Sequence, residues 1–133
     1  MKVAEIMRNN LQTISMEATV ADAVVVLADG GVSALPVLDR QGRAVGVCST
    51  RDVLAAESLC HDSFERDLLF EHTMVLAIMT PWARTARQDE DLRTVARRMV
   101  DEKVQRLFVE EGGALVGVIS QTDIVAAVAT ARV

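Results

Sequence analysis

The chain has 133 residues, half of them apolar and a quarter charged, with a net charge of −5; this is globular composition, with room for one domain or two half-size units sharing a core. No apolar run is long enough to cross a bilayer (the run 20–28 is interrupted by Asp22), and Met1-Lys2-Val3-Ala4-Glu5 lacks the apolar core of a signal peptide, so a cytoplasmic, non-membrane protein is expected. Lys and Arg are not clustered, there is no Tyr and only one Trp, which argues against a nucleic-acid polymer as partner.

In chain order, Val3, Ile6 and Met7 come first, and they return 72 positions later as Val75, Ile78 and Met79. A short extended piece, Gln12-Thr13-Ile14, leads to a helix. Thr19 can cap it with Asp22 three residues on, Val20, Val24 and Leu27 form its apolar stripe, and Gly30-Gly31 stops it. Leu35-Pro36-Val37-Leu38 and Ala44-Val45-Gly46-Val47-Cys48 then read as a hairpin around Asp39-Arg40-Gln41-Gly42. A last helix is expected from Ser49/Thr50.

Residues 56–76 hold one basic and five acidic residues, and so carry −4 of the net charge. They read as a mostly helical insertion. His61 and His72 would lie about 16 Å apart on one helix, too far to share a metal ion. Cys48 and Cys60 are expected to be free thiols, Cys48 as core filler and Cys60 at the surface.

The order then repeats. Arg84-Thr85-Ala86 is extended, and Asp91 caps a helix with Leu92, Val95, Ala96 and Met99 on its apolar side. Leu107-Phe108-Val109 and Leu115-Val116-Gly117-Val118-Ile119 flank Glu111-Gly112-Gly113, and a helix follows from Ser120/Gln121. The whole is a tandem duplication. The domains are 1–56, an acidic insertion at 57–74, and 75–133. The fold class is α/β (α+β): two β-α-β-β-α units, each too small to cover its sheet alone, packed sheet to sheet with pseudo-twofold symmetry.

Each copy ends in Gly-x-x-Ser-x-x-Asp at a strand-to-helix junction: Gly46, Ser49 and Asp52, then Gly117, Ser120 and Asp123. Ser followed three residues later by Asp is also a capping box, and Gly also permits close strand packing. A helix N-terminus with free amides and hydroxyls suits an anion, and a carboxylate in the first turn suits a ribose diol. Capping and ligand binding are compatible in one set of residues.

These motifs, with Ile6-Met7, Ile78-Met79-Thr80, Thr19-Val20-Ala21-Asp22-Ala23 and Leu35-Pro36-Val37, make the chain resemble a tandem pair of CBS domains, a Bateman module. The resemblance covers nearly the whole chain outside residues 56–76. It implies binding of AMP, ADP, ATP or S-adenosylmethionine in clefts between the repeats. By the resemblance, Asp52 and Asp123 take the ribose hydroxyls, and Ser49, Thr50, Arg51, Ser120 and Thr122 meet phosphate. Thr13, Ile14, Leu35, Pro36 and Val37 wall the base in one copy; Thr85, Ala86, Arg106, Leu107 and Phe108 wall it in the other. Arg51 stands where the second copy has Thr122, either contacting phosphate or turning outward. Phe108 stands where the first copy has Pro36, either shaping the base slot or packing in the core. Arg8, Arg84 and Arg106 are further phosphate candidates or solvated surface residues, and Trp82 is a packing anchor.

The expectation is a regulatory module that requires no cofactor, signals to an effector protein and forms a homodimer through apolar surface on its first and last helices. The alternative is a structural, dimerising module with vestigial pockets. No nucleophile elbow, phosphate-binding P-loop or metal-ligand cluster is present, so neither catalytic residues nor a metal site are expected.

Overall fold

The computed structural model describes residues 1–81 and 85–131. Among the described residues the fold is mixed α+β, with two sheets and five α-helices. The chain divides into two compact units, Gln12–Ala83 on one side and Met1–Leu11 with Arg84–Val133 on the other. Each unit thus joins the body of one repeat to the opening segment of the other.

In the Gln12–Ala83 unit, β1 (Ile14–Ser15) lies parallel to β2 (Ala34–Leu38), with Ile14 opposite Val37. β2 and β3 (Ala44–Ser49) form the expected antiparallel hairpin, and β4 (Thr80–Pro81) closes the sheet against β3. A Pro fits β4 because an edge strand need not donate on its outer side. Helix α1 (Val20–Gly30) begins at Thr19, whose hydroxyl accepts from the Asp22 amide while the Asp22 carboxylate accepts from the Thr19 amide. It ends at Gly31, φ 61°, a left-handed cap that glycine adopts without steric cost. α2 (Thr50–Ser58) follows β3, and α3 (Ser63–His72) lies in the acidic insertion and packs on α1 and α2. Val20, Ala23, Leu27, Leu35, Val37 and Cys48 are central to the buried core. Burial pushes the Cys48 thiol up to about 11, with the Asp52 charge adding to it.

The second unit repeats the plan. β5 (Thr85–Ala86) runs parallel to β6 (Arg106–Glu111), which pairs with β7 (Ala114–Ser120). The register of both hairpins shifts at the same place, between Val37 and Leu38 and between Val109 and Glu110. α4 (Leu92–Glu102) starts at Asp91, as expected, and α5 (Gln121–Ala131) follows β7. α4 ends at Lys103, φ 58°, where the first copy has Gly31. The core holds Leu92, Val95, Met99, Leu107, Val109 and Ile119, together with Val3 from the far end of the sequence. Arg8 completes the sheet edge by exchanging two backbone hydrogen bonds of 2.8 Å with Val118, the part that β4 plays in the first unit. Among the described residues no helix is long and apolar enough to cross a membrane.

Candidate functional site

Both junction motifs form capping boxes. Ser49 is extended at φ −110° and ψ 165°, so its side chain turns back over the first turn of α2. Its hydroxyl accepts from the Asp52 amide at 3.1 Å, and Asp52 Oδ2 accepts from the Ser49 amide at 2.9 Å. In the other unit the Asp123 amide donates to Ser120 Oγ, and the Ser120 amide to Asp123 Oδ2, both at 3.1 Å. One oxygen of each carboxylate is therefore committed to its helix end.

The second oxygen is held by a residue of the opening segment that joins each unit. Thr80 Oγ1 donates to Asp52 Oδ1 at 3.0 Å. Arg8 Nε donates to Asp123 Oδ1 at 3.1 Å, an ion pair in which the Asp123 side chain is 11% exposed and that of Arg8 72%. Arg8 and Thr80 are equivalent, each following the Met of its repeat. The glycines explain how these segments come close. A Cβ on Gly46 would stand 2.7 Å from the Thr80 carbonyl oxygen, and one on Gly117 3.0 Å from that of Arg8. The motif's Gly serves the adjoining strand in both copies.

The remaining residues expected at the site lie on or beside β1, β2, β5 and β6 and on the first turns of α2 and α5. Ala34 lies opposite Ser49 and Arg106 opposite Ser120 in the two hairpins. The Thr50 amide donates to the Ser33 carbonyl, while Arg51 and Thr122 are exposed on the first turns of their helices. Leu35, Pro36, Val37, Leu107 and Phe108 are buried strand residues, and Ile14 and Ala86 are buried beside them. Thr13 and Thr85 are half-buried, and Thr85 lies opposite Phe108. Trp82 and Arg84 lie outside the described residues. Thr80 appears in the sequence reading only as part of Ile78-Met79-Thr80, with no role at the site, and Arg8 appears there without its partner Asp123. The equivalence of Met7-Arg8 with Met79-Thr80 was the available signal, but nothing local to either segment says which body it joins.

Within the insertion, His61 Nδ1 pairs with Glu65 at 3.1 Å, and His72 lies at the other end of α3. Among the described residues no group of three His, Cys, Asp or Glu side chains is arranged to hold a metal ion.

A family model for the CBS domain matches residues 3–58 and again 75–130. CBSX2, a chloroplastic CBS domain-containing protein of Arabidopsis thaliana, is 28% identical over 141 residues, covering 90% of this chain and 59% of its own length. The chain thus spans less than two thirds of that relative. A crystal structure of CBSX2 in complex with AMP superposes with a TM-score of 0.82, at 27% identity, covering 99% of this chain and 98% of that one. The structure of an acetoin utilization protein, AcuB, from Vibrio cholerae gives 0.84 at 25% identity, covering 99% and 93%.

Proposed function

From the membership of both repeats in the CBS domain family, we propose that the chain is a regulatory module whose junctions at Asp52 and Asp123 bind adenosine-containing ligands and whose ligand state is passed to an effector protein. One observation carries the reading. At both junctions a first-turn aspartate spends a single oxygen on the helix end and presents the other to a side chain on a neighbouring segment. A carboxylate has about four lone-pair sites, so Oδ1 can accept ribose hydroxyls beside its present partner. The AMP complex of CBSX2 supports an adenylate as ligand. The candidates are AMP, ADP, ATP and S-adenosylmethionine, with Ser49, Thr50, Arg51, Ser120 and Thr122 near phosphate and the buried β2 and β6 residues walling the base. The chemistry is binding; no catalytic step is assigned to these residues.

Calorimetric titration and thermal shift with each candidate test this. Heat of binding and a raised melting temperature for at least one are expected; none at millimolar ligand overturns the reading. A structural module is the second reading, favoured by the fact that both Oδ1 atoms are already hydrogen-bonded within the protein. It predicts the opposite result in the same titration.

We further propose a twofold homodimer. Val25, Leu54, Val100 and Val125 are each more than half exposed on the helices, and an apolar groove of about 360 Å³ lies between α1 and α2, lined by Val24, Leu27 and Val53. Light scattering at twice the chain mass is expected, and a clean monomer rejects it. Two free thiols, one buried, suit a reducing compartment and support a cytoplasmic setting.

A further inference from the structure

The two junctions differ most in the group that holds the outer carboxylate oxygen. In the Gln12–Ala83 unit that group is the neutral Thr80 hydroxyl; in the other it is the Arg8 guanidinium. A second difference points the same way. Across the hairpin from the capping serine stands Ala34 in one unit and Arg106 in the other.

We infer that Arg8 makes the Asp123 junction selective for phosphorylated adenosine ligands, while the Asp52 junction accepts neutral ones as well. The inference rests on the nucleotide reading above and assigns a ligand class to each of its sites. A ribose hydroxyl approaching Asp52 meets a threonine hydroxyl, which can rotate and share the oxygen. At Asp123 it competes with a charge-assisted bond, stronger than a neutral one. Disturbing that bond leaves a largely covered carboxylate without its cation. A ligand phosphate offers the guanidinium an anion in return. Arg8 can accept the offer because its side chain is 72% exposed on a long stem. A neutral nucleoside offers nothing, and a sulfonium adds like charge. Arg51 does not reverse the order. It is exposed on α2 and adds attraction for phosphate without occupying Asp52.

The test separates the sites in the full chain. With Asp52→Ala, only the Asp123 junction should respond, and calorimetry should find AMP tighter than adenosine. Arg8→Thr should lower that ratio about tenfold, the step between a charged and a neutral hydrogen bond, and Arg8→Lys should keep most of it. With Asp123→Ala, the Asp52 junction should still bind adenosine, with a smaller preference for AMP than the Asp123 junction shows, and Thr80→Arg should widen that preference. Should either background fold poorly, amide resonances of Asp52 and Asp123 in the otherwise unaltered chain report each site separately. An unchanged AMP-to-adenosine ratio in Arg8→Thr, with AMP still bound at Asp123, overturns the role of Arg8 alone. Absence of binding by AMP and adenosine in the unaltered chain overturns this inference, and absence of binding by ADP, ATP and S-adenosylmethionine as well overturns the nucleotide reading with it.

Discussion

Gly46→Ala tests the conclusion that the glycine of each motif serves a neighbouring strand. The added Cβ would lie 2.6 Å from Met79 Sδ and 2.7 Å from the Thr80 carbonyl oxygen. The sulfur ends a flexible side chain and can yield. The carbonyl cannot move alone, because β4 is registered on β3 with Val47 opposite Thr80 and Gly46 opposite Pro81. Relief requires β4 to retreat, which also draws the Thr80 hydroxyl away from Asp52. Overpacking costs about 1–3 kcal/mol, and the loss of one neutral hydrogen bond about 1 kcal/mol. We expect a destabilisation of about 2–4 kcal/mol on those grounds. At Gly117 the contacts are 2.7 Å to Met7 Sδ and 3.0 Å to the Arg8 carbonyl oxygen. The slightly greater clearance predicts a smaller cost there, about 1–2 kcal/mol. Urea unfolding followed by circular dichroism measures both. A Gly46→Ala chain within about 0.5 kcal/mol of the parent, the range of ordinary surface substitutions, would show that β4 does not constrain this position.

Three further outcomes follow from the structure. Lys103 takes the left-handed conformation that Gly31 takes in the other copy, so Lys103→Gly should stabilise by about 1 kcal/mol; a loss of stability in urea contradicts the cap. Cys48 is fully buried and its thiol is pushed up to about 11, whereas Cys60 is half-buried, so a thiol reagent at pH 8 should label Cys60 first and Cys48 only on unfolding; equal rates reject this. Burial alone would raise Glu90, but hydrogen bonds from Arg98 and the Arg87 amide, with the charges of both arginines, outweigh it and hold the carboxyl below its ordinary 4.5. A depressed carboxyl stabilises the fold above its unfolded value, and that contribution is lost as pH falls below 4.5 through the folded value. Arg98→Ala should therefore flatten the acid side of the stability profile, and an unchanged slope would show that Glu90 does not set it.

What the sequence disclosed was local. The Thr19–Asp22 and Ser49–Asp52 spacings announce their caps because the partners sit three residues apart, and the hairpins announce themselves by β-branched runs around glycine turns. The repeat also revealed the family and the equivalence of Asp52 with Asp123. Long-range assignment was not legible. Arg8 meets Val118 and Asp123 across most of the chain, and no periodicity records which body a short opening segment joins. Close strand packing at Gly117 was legible, but the segment that packs there was not, since the constraint comes from Met7 and Arg8 and not from neighbours in sequence.

That partition of segments bears on how the gene can be cut. Severing the chain between its two sequence repeats does not release two finished bodies. The leading piece keeps Met1–Leu11, which belongs with Arg84–Val133, and forfeits the Thr80–Pro81 edge that seats beside Gly46. A fragment spanning 12–83 keeps the four-stranded sheet and the helices α1, α2 and α3 in one continuous stretch. By the same logic a chain holding a single repeat lacks the edge segment that its own sheet uses, which only a second repeat or a second molecule can supply.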